Sequence, residues 1–294
     1  MKLKDAKNKY LNTRQFAALS RSSQRNYEYA LASFCRMSIM GKTLGNVRVD
    51  RINSPMCHEI YDTWEAETST SNANHNARVF SVLMNYLVAT DVLLFNPMAR
   101  VKKRSSTPRS VVWTHDQVMS FLDVAFTKFD YRSIGLIVLM CYEWGQRPVD
   151  IRNLKWESVD LDQRKVTITQ SKRGATVELP IPDNLFEMLS QQKEDLDFQE
   201  YVVPHHKPSD DAYKPLTVMQ MTALLGEVKA IARLPDELRV GDLRKTAIVQ
   251  MIESGVDHLA IQSVSGHKNV SSLNPYNKFS FKTASNALER RQRQ

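Results

Sequence analysis

Cysteine and glycine are scarce in this 294-residue chain, which has three of the former and nine of the latter. Cys35, Cys57 and Cys141 are widely separated and follow no metal-ligand spacing. They give neither a disulfide framework nor a zinc site, so each reads as a small buried hydrophobe in a reducing compartment. The glycines form no Walker A loop and no dinucleotide fingerprint, which leaves nucleotide-driven chemistry unsupported. Long hydrophobic runs are missing too. The longest, Ile134 to Tyr142, has nine residues and contains Gly135, far short of the ~20 that a membrane span needs. The basic N-terminus leads into Tyr10-Leu-Asn-Thr rather than an apolar stretch, so no secretory signal is visible. No membrane partner is expected, and the expected location is cytoplasmic.

What is present is positive charge and amphipathic periodicity. Lysine and arginine number 40 against 32 acids, a formal net charge of +8. That excess fits a polyanionic partner, though solubility alone also explains it. A hydrophobic content of 42% is enough for one large or two ordinary domains with real cores. The first hundred residues read as helices. Tyr27, Ala30, Leu31, Phe34 and Cys35 recur at helical spacing behind Ser22 and Ser23 as N-caps. A second helix begins at Ser54-Pro55 and carries Cys57, Ile60, Tyr61 and Trp64, and a third carries Val79, Val82, Leu83, Tyr86 and Leu87.

Asn96-Pro97 ends this pattern. The following stretch holds Arg100, Lys102, Lys103, Arg104 and Arg109 among serines and a proline. It reads as a solvated basic linker, assigned to 103–112, whose cations suit a phosphate backbone or serve solubility. A second domain, 113–294, opens at the capping box Thr114-His-Asp-Gln117. Ile134 to Tyr142 is apolar all round and predicts a central buried helix leading to Arg147. Lys165–Gln170 and Thr176–Ile181 predict a hairpin with Lys172 near its tip. Helices then resume around 185–189, 218–231, 243–252 and 258–264. The expected fold is mainly α, with helices alone in 1–102 and a small β-sheet in an α+β second domain.

The candidate chemistry lies in five polar residues: Arg147, Lys172, Arg244, His267 and Tyr276. A phenol hydroxyl is a weak nucleophile at neutral pH unless cations favour phenolate or a base takes its proton. Two arginines able to fork onto non-bridging oxygens, a lysine, a histidine and a tyrosine suit attack on a phosphodiester. Asp150, three residues after Arg147, is expected to orient Arg147 or its neighbours and not to perform chemistry, because a carboxylate beside a reacting phosphate repels it.

In order and spacing these residues resemble the tyrosine recombinases, the phage integrase family. Arg147 with Asp150 resembles the first-arginine box, Lys172 the hairpin lysine, Arg244 the second arginine, Gly266-His267 the Gly-His pair, and Tyr276 the nucleophile. The resemblance implies a helical, SAM-like core-binding domain in 1–102 and a catalytic domain in 113–294. It implies site-specific recombination of double-stranded DNA through a 3′-phosphotyrosine, with no cofactor, in a bacterial or phage-infected cell. It further implies a homo-oligomer, a tetramer on two DNA sites, and allows a DNA-bending accessory protein. Rival readings are a catalytically impaired DNA-binding member of the same fold and a type IB topoisomerase-like nicking-closing enzyme.

One position departs from the family pattern. Where a His-x-x-Arg box is usual, this chain has Gly241-Asp-Leu-Arg244, and glycine has no side chain to donate to a phosphoryl oxygen. His205 and His206 are nearby substitutes in sequence. Beyond Tyr276, the tail places Phe279, Phe281, Ala284, Ala287 and Leu288 on an apolar face. The resemblance implies that this face packs on a neighbouring protomer, with folding back onto its own subunit as the alternative.

Overall fold

The computed structural model describes residues 1–39, 41–172, 174–207 and 212–276, with 285, 288, 289, 291 and 292 nearer the C-terminus. It divides into two compact units, Met1–Arg109 and Ser110–Gln294. The apolar tail positions Phe279, Phe281, Ala284 and Ala287 lie outside the described residues, and Leu288 is exposed.

The first unit is helical because apolar stripes recur every third or fourth residue and local caps end each run. It contains α1 (Leu3–Leu11), α2 (Arg14–Ala17), α3 (Arg21–Arg36), α4 (Ser54–Glu67) and α5 (Thr70–Ala89), with a two-residue hairpin of β1 (Ser38–Ile39) and β2 (Lys42–Thr43). The cap of α3 is Ser20, whose hydroxyl accepts from the Ser23 amide, rather than Ser22 or Ser23. Likewise Asn53 caps α4, one residue ahead of the Ser54 expected from the sequence. Phe34, Trp64 and Phe80 from α3, α4 and α5 meet in the core, with Phe34 ring centroids 4.3 Å from Trp64 and 4.7 Å from Phe80. Aromatic contacts of this kind lock the three helices together beyond simple area burial.

This unit also holds the start of the basic stretch. Tyr61 Oη donates to Asn74 Oδ1 and accepts from the Arg104 amide, while Asn74 Nδ2 donates to the Arg104 carbonyl, all at 2.8 Å. The Arg104 guanidinium pairs with Asp62 and Glu65. Arg104 is therefore tied to α4 and α5 instead of lying in a solvated linker, and its charge is offset by carboxylates. Arg100, Lys102, Lys103 and Arg109 are exposed.

In the second unit, α6 (His115–Ala125) starts at the expected capping box. α7 (Phe129–Trp144) is buried continuously from Ser133 to Cys141 and packs against α6, α9, α10 and α11. The remaining elements are α8 (Pro148–Arg152), β3 (Val159–Asp160), β4 (Lys165–Thr169), β5 (Thr176–Pro180), α9 (Asp183–Leu196), α10 (Val218–Ile231), α11 (Val240–Glu253) and α12 (His258–Ser265). A 3₁₀ stretch, Val270–Tyr276, follows. The sheet is antiparallel in the order β3-β4-β5. Its register pairs Val166 with Leu179 and Ile168 with Val177, and these four residues are buried. The Trp113 amide donates to Thr246 Oγ1 at 2.9 Å and its indole to the Arg239 carbonyl at 3.1 Å, which fixes the start of this unit on α11.

Burial pushes the Cys57 thiol up to about 12 and raises Cys141 further, so neither is a thiolate at neutral pH. Gly135 allows α6 and α7 to close: an added Cβ would lie 2.9 Å from Ala125 Cβ and from the Phe126 ring. Gly135→Ala is expected to cost about 1–3 kcal/mol through overpacking, read as a lower denaturation midpoint for the full chain. An unchanged midpoint would contradict the close approach.

Candidate active site

Four of the five polar residues singled out by the sequence, Arg147, Arg244, His267 and Tyr276, converge near the ends of α7 and α12 and the starts of α8 and α11. α7 stops at Gly145, which is left-handed with φ of 59°, and the chain turns into Gln146 and Arg147. Arg147 occupies the N-cap of α8, with Pro148 at the first helical position. Its Nη1 donates to Gln170 Oε1 at 2.8 Å and stands 3.8 Å from Asp150 Oδ2. Asp150 spends its other oxygen on Ser171, accepting from the amide at 2.9 Å and the hydroxyl at 2.6 Å. The carboxylate thus fixes Ser171 in the β4–β5 loop, next to Lys172, and Gln170 is the hydrogen-bond partner that holds Arg147. Lys172 itself is exposed on that loop.

Arg244, on α11, is 6% exposed. Nη1 donates to the Gly145 carbonyl at 3.0 Å, Nη2 donates to the Ser265 carbonyl at 2.8 Å, and Nη2 lies 3.3 Å from His267 Nε2. Burial, and then the neighbouring Arg147 cation, pull its pKa down to about 10, while Tyr276 and Asp150 act in the opposite direction. Arg244 therefore stays protonated at neutral pH, and the repulsion between the two guanidiniums makes the site favourable to an anion.

α12 ends at Gly266, again left-handed with φ of 68°. A side chain there would overlap the Gln170 amide. The turn delivers His267, whose Nδ1 is 2.7 Å from Ser265 Oγ and whose carbonyl accepts from Gln262 Nε2 at 2.9 Å. Tyr276 is half-buried at the end of the 3₁₀ stretch, its ring centroid 6.0 Å from that of His267. Leu273 anchors this stretch by packing with Ile248 and Ile261. Arg147, Arg244, His267 and Tyr276 are brought together.

The structure also shows a buried frame that the motifs did not reveal. Gln170 Nε2 donates to Gln146 Oε1 at 2.7 Å and to the Ser265 carbonyl at 2.8 Å. Gln146 Nε2 donates to the carbonyls of Trp144 at 3.0 Å and Val264 at 2.5 Å. Gln146, Gln170 and Ser265 are each 0% exposed. Uncharged and unspaced, they carried no sequence signal beyond being polar residues beside apolar runs.

The substitute histidines are not at this site. His206 Nε2 is 3.8 Å from Asp130 Oδ1, at the start of α7. The Gly145 carbonyl that meets Arg244 is at the other end, ~1.5 Å per residue further along the helix. Burial also lowers the His206 pKa, against the pull of Asp130. Gly241, exposed at the start of α11, has nothing within 4 Å of where a Cβ would sit.

Gly266 and Gly174 form a natural comparison. Both are left-handed, but an added Cβ meets the Gln170 amide at Gly266 and open space at Gly174. Gly174→Ala is expected to cost about 1 kcal/mol from backbone conformation alone. Gly266→Ala is expected to cost about 1–3 kcal/mol more through overlap. Equal losses in chemical denaturation would show that Gln170 does not abut this turn.

The phage integrase family profile matches residues 112–283. Among curated relatives, tyrosine recombinase XerA of Pyrococcus horikoshii is 29% identical over 187 residues, 63% of this chain and 62% of the relative. Tyrosine recombinase XerA of Thermococcus onnurineus is 30% identical over 192 residues, 64% of each chain. The matches thus span less than two thirds of the length of these relatives. Among solved structures, a lambda integrase dimer bound to a COC′ core site aligns with a TM-score of 0.76 at 17% identity, over 96% of this chain and 100% of that one. The Tn1549 transposon integrase in complex with a circular intermediate DNA aligns at 0.78 and 16% identity, over 99% of each. These structures share the mainly helical fold with its small sheet. Because the matched profile takes in more than half of the sequence and includes the clustered arginines, histidine and tyrosine, the chain belongs to the phage integrase family.

Proposed function

We propose that this protein is a site-specific DNA recombinase that cleaves and rejoins double-stranded DNA through a 3′-phosphotyrosine on Tyr276. The observation that carries this reading is the buried Arg244 guanidinium, set between the Gly145 and Ser265 carbonyls beside His267, with Tyr276 close enough to raise its pKa. Such a cation, reinforced by Arg147, is placed to take up the charge that grows on a phosphate in transfer.

In the proposed step Tyr276 Oη attacks phosphorus as the bond to the 5′ oxygen breaks. Arg147 and Arg244 bind the non-bridging oxygens, and His267 adds a hydrogen bond. Lys172, on the loop that Asp150 fixes through Ser171, gives a proton to the departing 5′ oxygen, which otherwise leaves as a strongly basic alkoxide. The phenol proton passes to solvent. A phosphotyrosine diester conserves the energy of the bond it replaces, so a 5′ hydroxyl reverses the step without ATP.

On this reading residues 1–102 grip the core site and 113–294 form the catalytic domain. Arg100, Lys102, Lys103 and Arg109 supply backbone contacts, while Arg104 contributes less because Asp62 and Glu65 already hold it. A tetramer on two sites is part of the proposal. A lambda integrase tetramer bound to a Holliday junction, TM-score 0.74 at 17% identity, lends it support. The proposed location is the cytoplasm. No described helix is long and apolar enough to cross a membrane.

Tyr276→Phe removes only the hydroxyl, so it is expected to abolish SDS-resistant attachment to a phosphorothiolate-nicked site while leaving gel-shift affinity nearly intact. Attachment by the mutant would place the nucleophile elsewhere. The open space at Gly241 leaves room for the donor that the family pattern has there. A lost phosphate donor typically costs ~10²–10³ in rate, so Gly241→His is expected to raise the single-turnover attachment rate about tenfold or more. No gain would mean that the donor is already supplied or is not needed.

A further inference from the structure

The motifs identify His267 but not which ring nitrogen carries its proton. Arginine has donors and no acceptor. Facing Arg244 Nη2 at 3.3 Å, Nε2 of His267 must therefore be the unprotonated nitrogen in the resting site. The proton is on Nδ1, which donates to Ser265 Oγ at 2.7 Å. In that state Nε2 has no hydrogen to offer a phosphate oxygen. Ser265 is fully buried, and its carbonyl is held by Arg244 Nη2 and Gln170 Nε2, each at 2.8 Å. Its hydroxyl, unlike those groups, works in both directions: it accepts from Nδ1–H, or after rotating about Cβ–Oγ it donates to a bare Nδ1. The bond made by one imidazole nitrogen decides the state of the other.

We propose that Ser265 is a positioning residue that lets His267 exchange tautomers. With Arg244 facing the ring, Nδ1 is protonated and Oγ accepts. Once Arg244 Nη2 turns to a phosphate oxygen, Oγ donates and Nε2–H points at the same phosphate. One proton leaves Nδ1 and one arrives at Nε2, water carrying both, and the hydroxyl keeps one hydrogen throughout. The second state rests on the recombinase reading, whereas the first is a property of the free protein. A serine here thus lets one imidazole act as an acceptor at rest and as a donor when the substrate is bound.

The test has two arms. In the free protein, histidine-nitrogen NMR, with His267 assigned by its loss in His267→Gln, is expected to show a neutral ring protonated at Nδ1. Its ring N–H should be protected from exchange in wild type and Ser265→Thr, and unprotected in Ser265→Ala. In single-turnover attachment to a phosphorothiolate-nicked duplex, Ser265→Ala is expected to be about tenfold slower, with gel-shift affinity unchanged and Ser265→Thr restoring the rate. Protonation at Nε2 in the free protein, or wild-type attachment by Ser265→Ala, would overturn the proposal. If the wild type forms no covalent complex at all, the recombinase reading fails, and the nitrogen spectra alone decide whether Ser265 holds the tautomer.

Discussion

A guanidinium that keeps its charge at neutral pH is buried in the second unit, and the surrounding structure is arranged to tolerate it. Among the described residues, Arg244 is met by backbone carbonyls and an imidazole instead of a carboxylate salt bridge. Burying a cation in this way is costly unless hydrogen bonds offset the lost water. The carbonyls available for this are those exposed where helices end, and α7 and α12 both terminate in left-handed glycines next to Arg244. The positions of Gly145, Ser265 and Gly266 follow from that need. The central burial of α7 follows as well, because it holds Gly145 in place.

Gln170 extends the same frame from the sheet. One side-chain amide reaches Arg147, Gln146 and the Ser265 carbonyl at once. The small sheet is therefore more than a support for Lys172, since its β4 end links the first arginine to the turn that presents His267. Asp150, expected to orient Arg147 or its neighbours, makes its hydrogen bonds to Ser171 and stands 3.8 Å from Arg147. The family pattern picks out the groups proposed to react, while uncharged residues fix their relative placement.

Much of this was legible in the sequence, and the reasons are specific. Arg147, Arg244, His267 and Tyr276 stood out because charge and nucleophilicity are rare in apolar surroundings, and their order restricted the chemistry. The buried run in α7 and the Thr114 box were legible because apolar composition and local capping are encoded within a few residues. The caps fall at Ser20 and Asn53, and not at the expected Ser22, Ser23 and Ser54, because several capping residues stand close together in each stretch. Gln146, Gln170 and Ser265 were not legible: their partners are 2 to 118 residues away, and nothing in a single sequence brings them together. Arg104 read as a loose cation for the same reason, since its partners on α4 lie about forty residues earlier.

The central claim is that this frame aims Tyr276 at a phosphodiester, and peptide mapping by mass spectrometry tests it most directly. The full-length chain would be trapped on a phosphorothiolate-nicked duplex, the DNA digested away, and the remaining nucleotide adduct located. The expected result is an adduct on the peptide containing Tyr276, at the tyrosine itself. An adduct on any other residue, or none on a protein shown to be bound to the duplex, would contradict it.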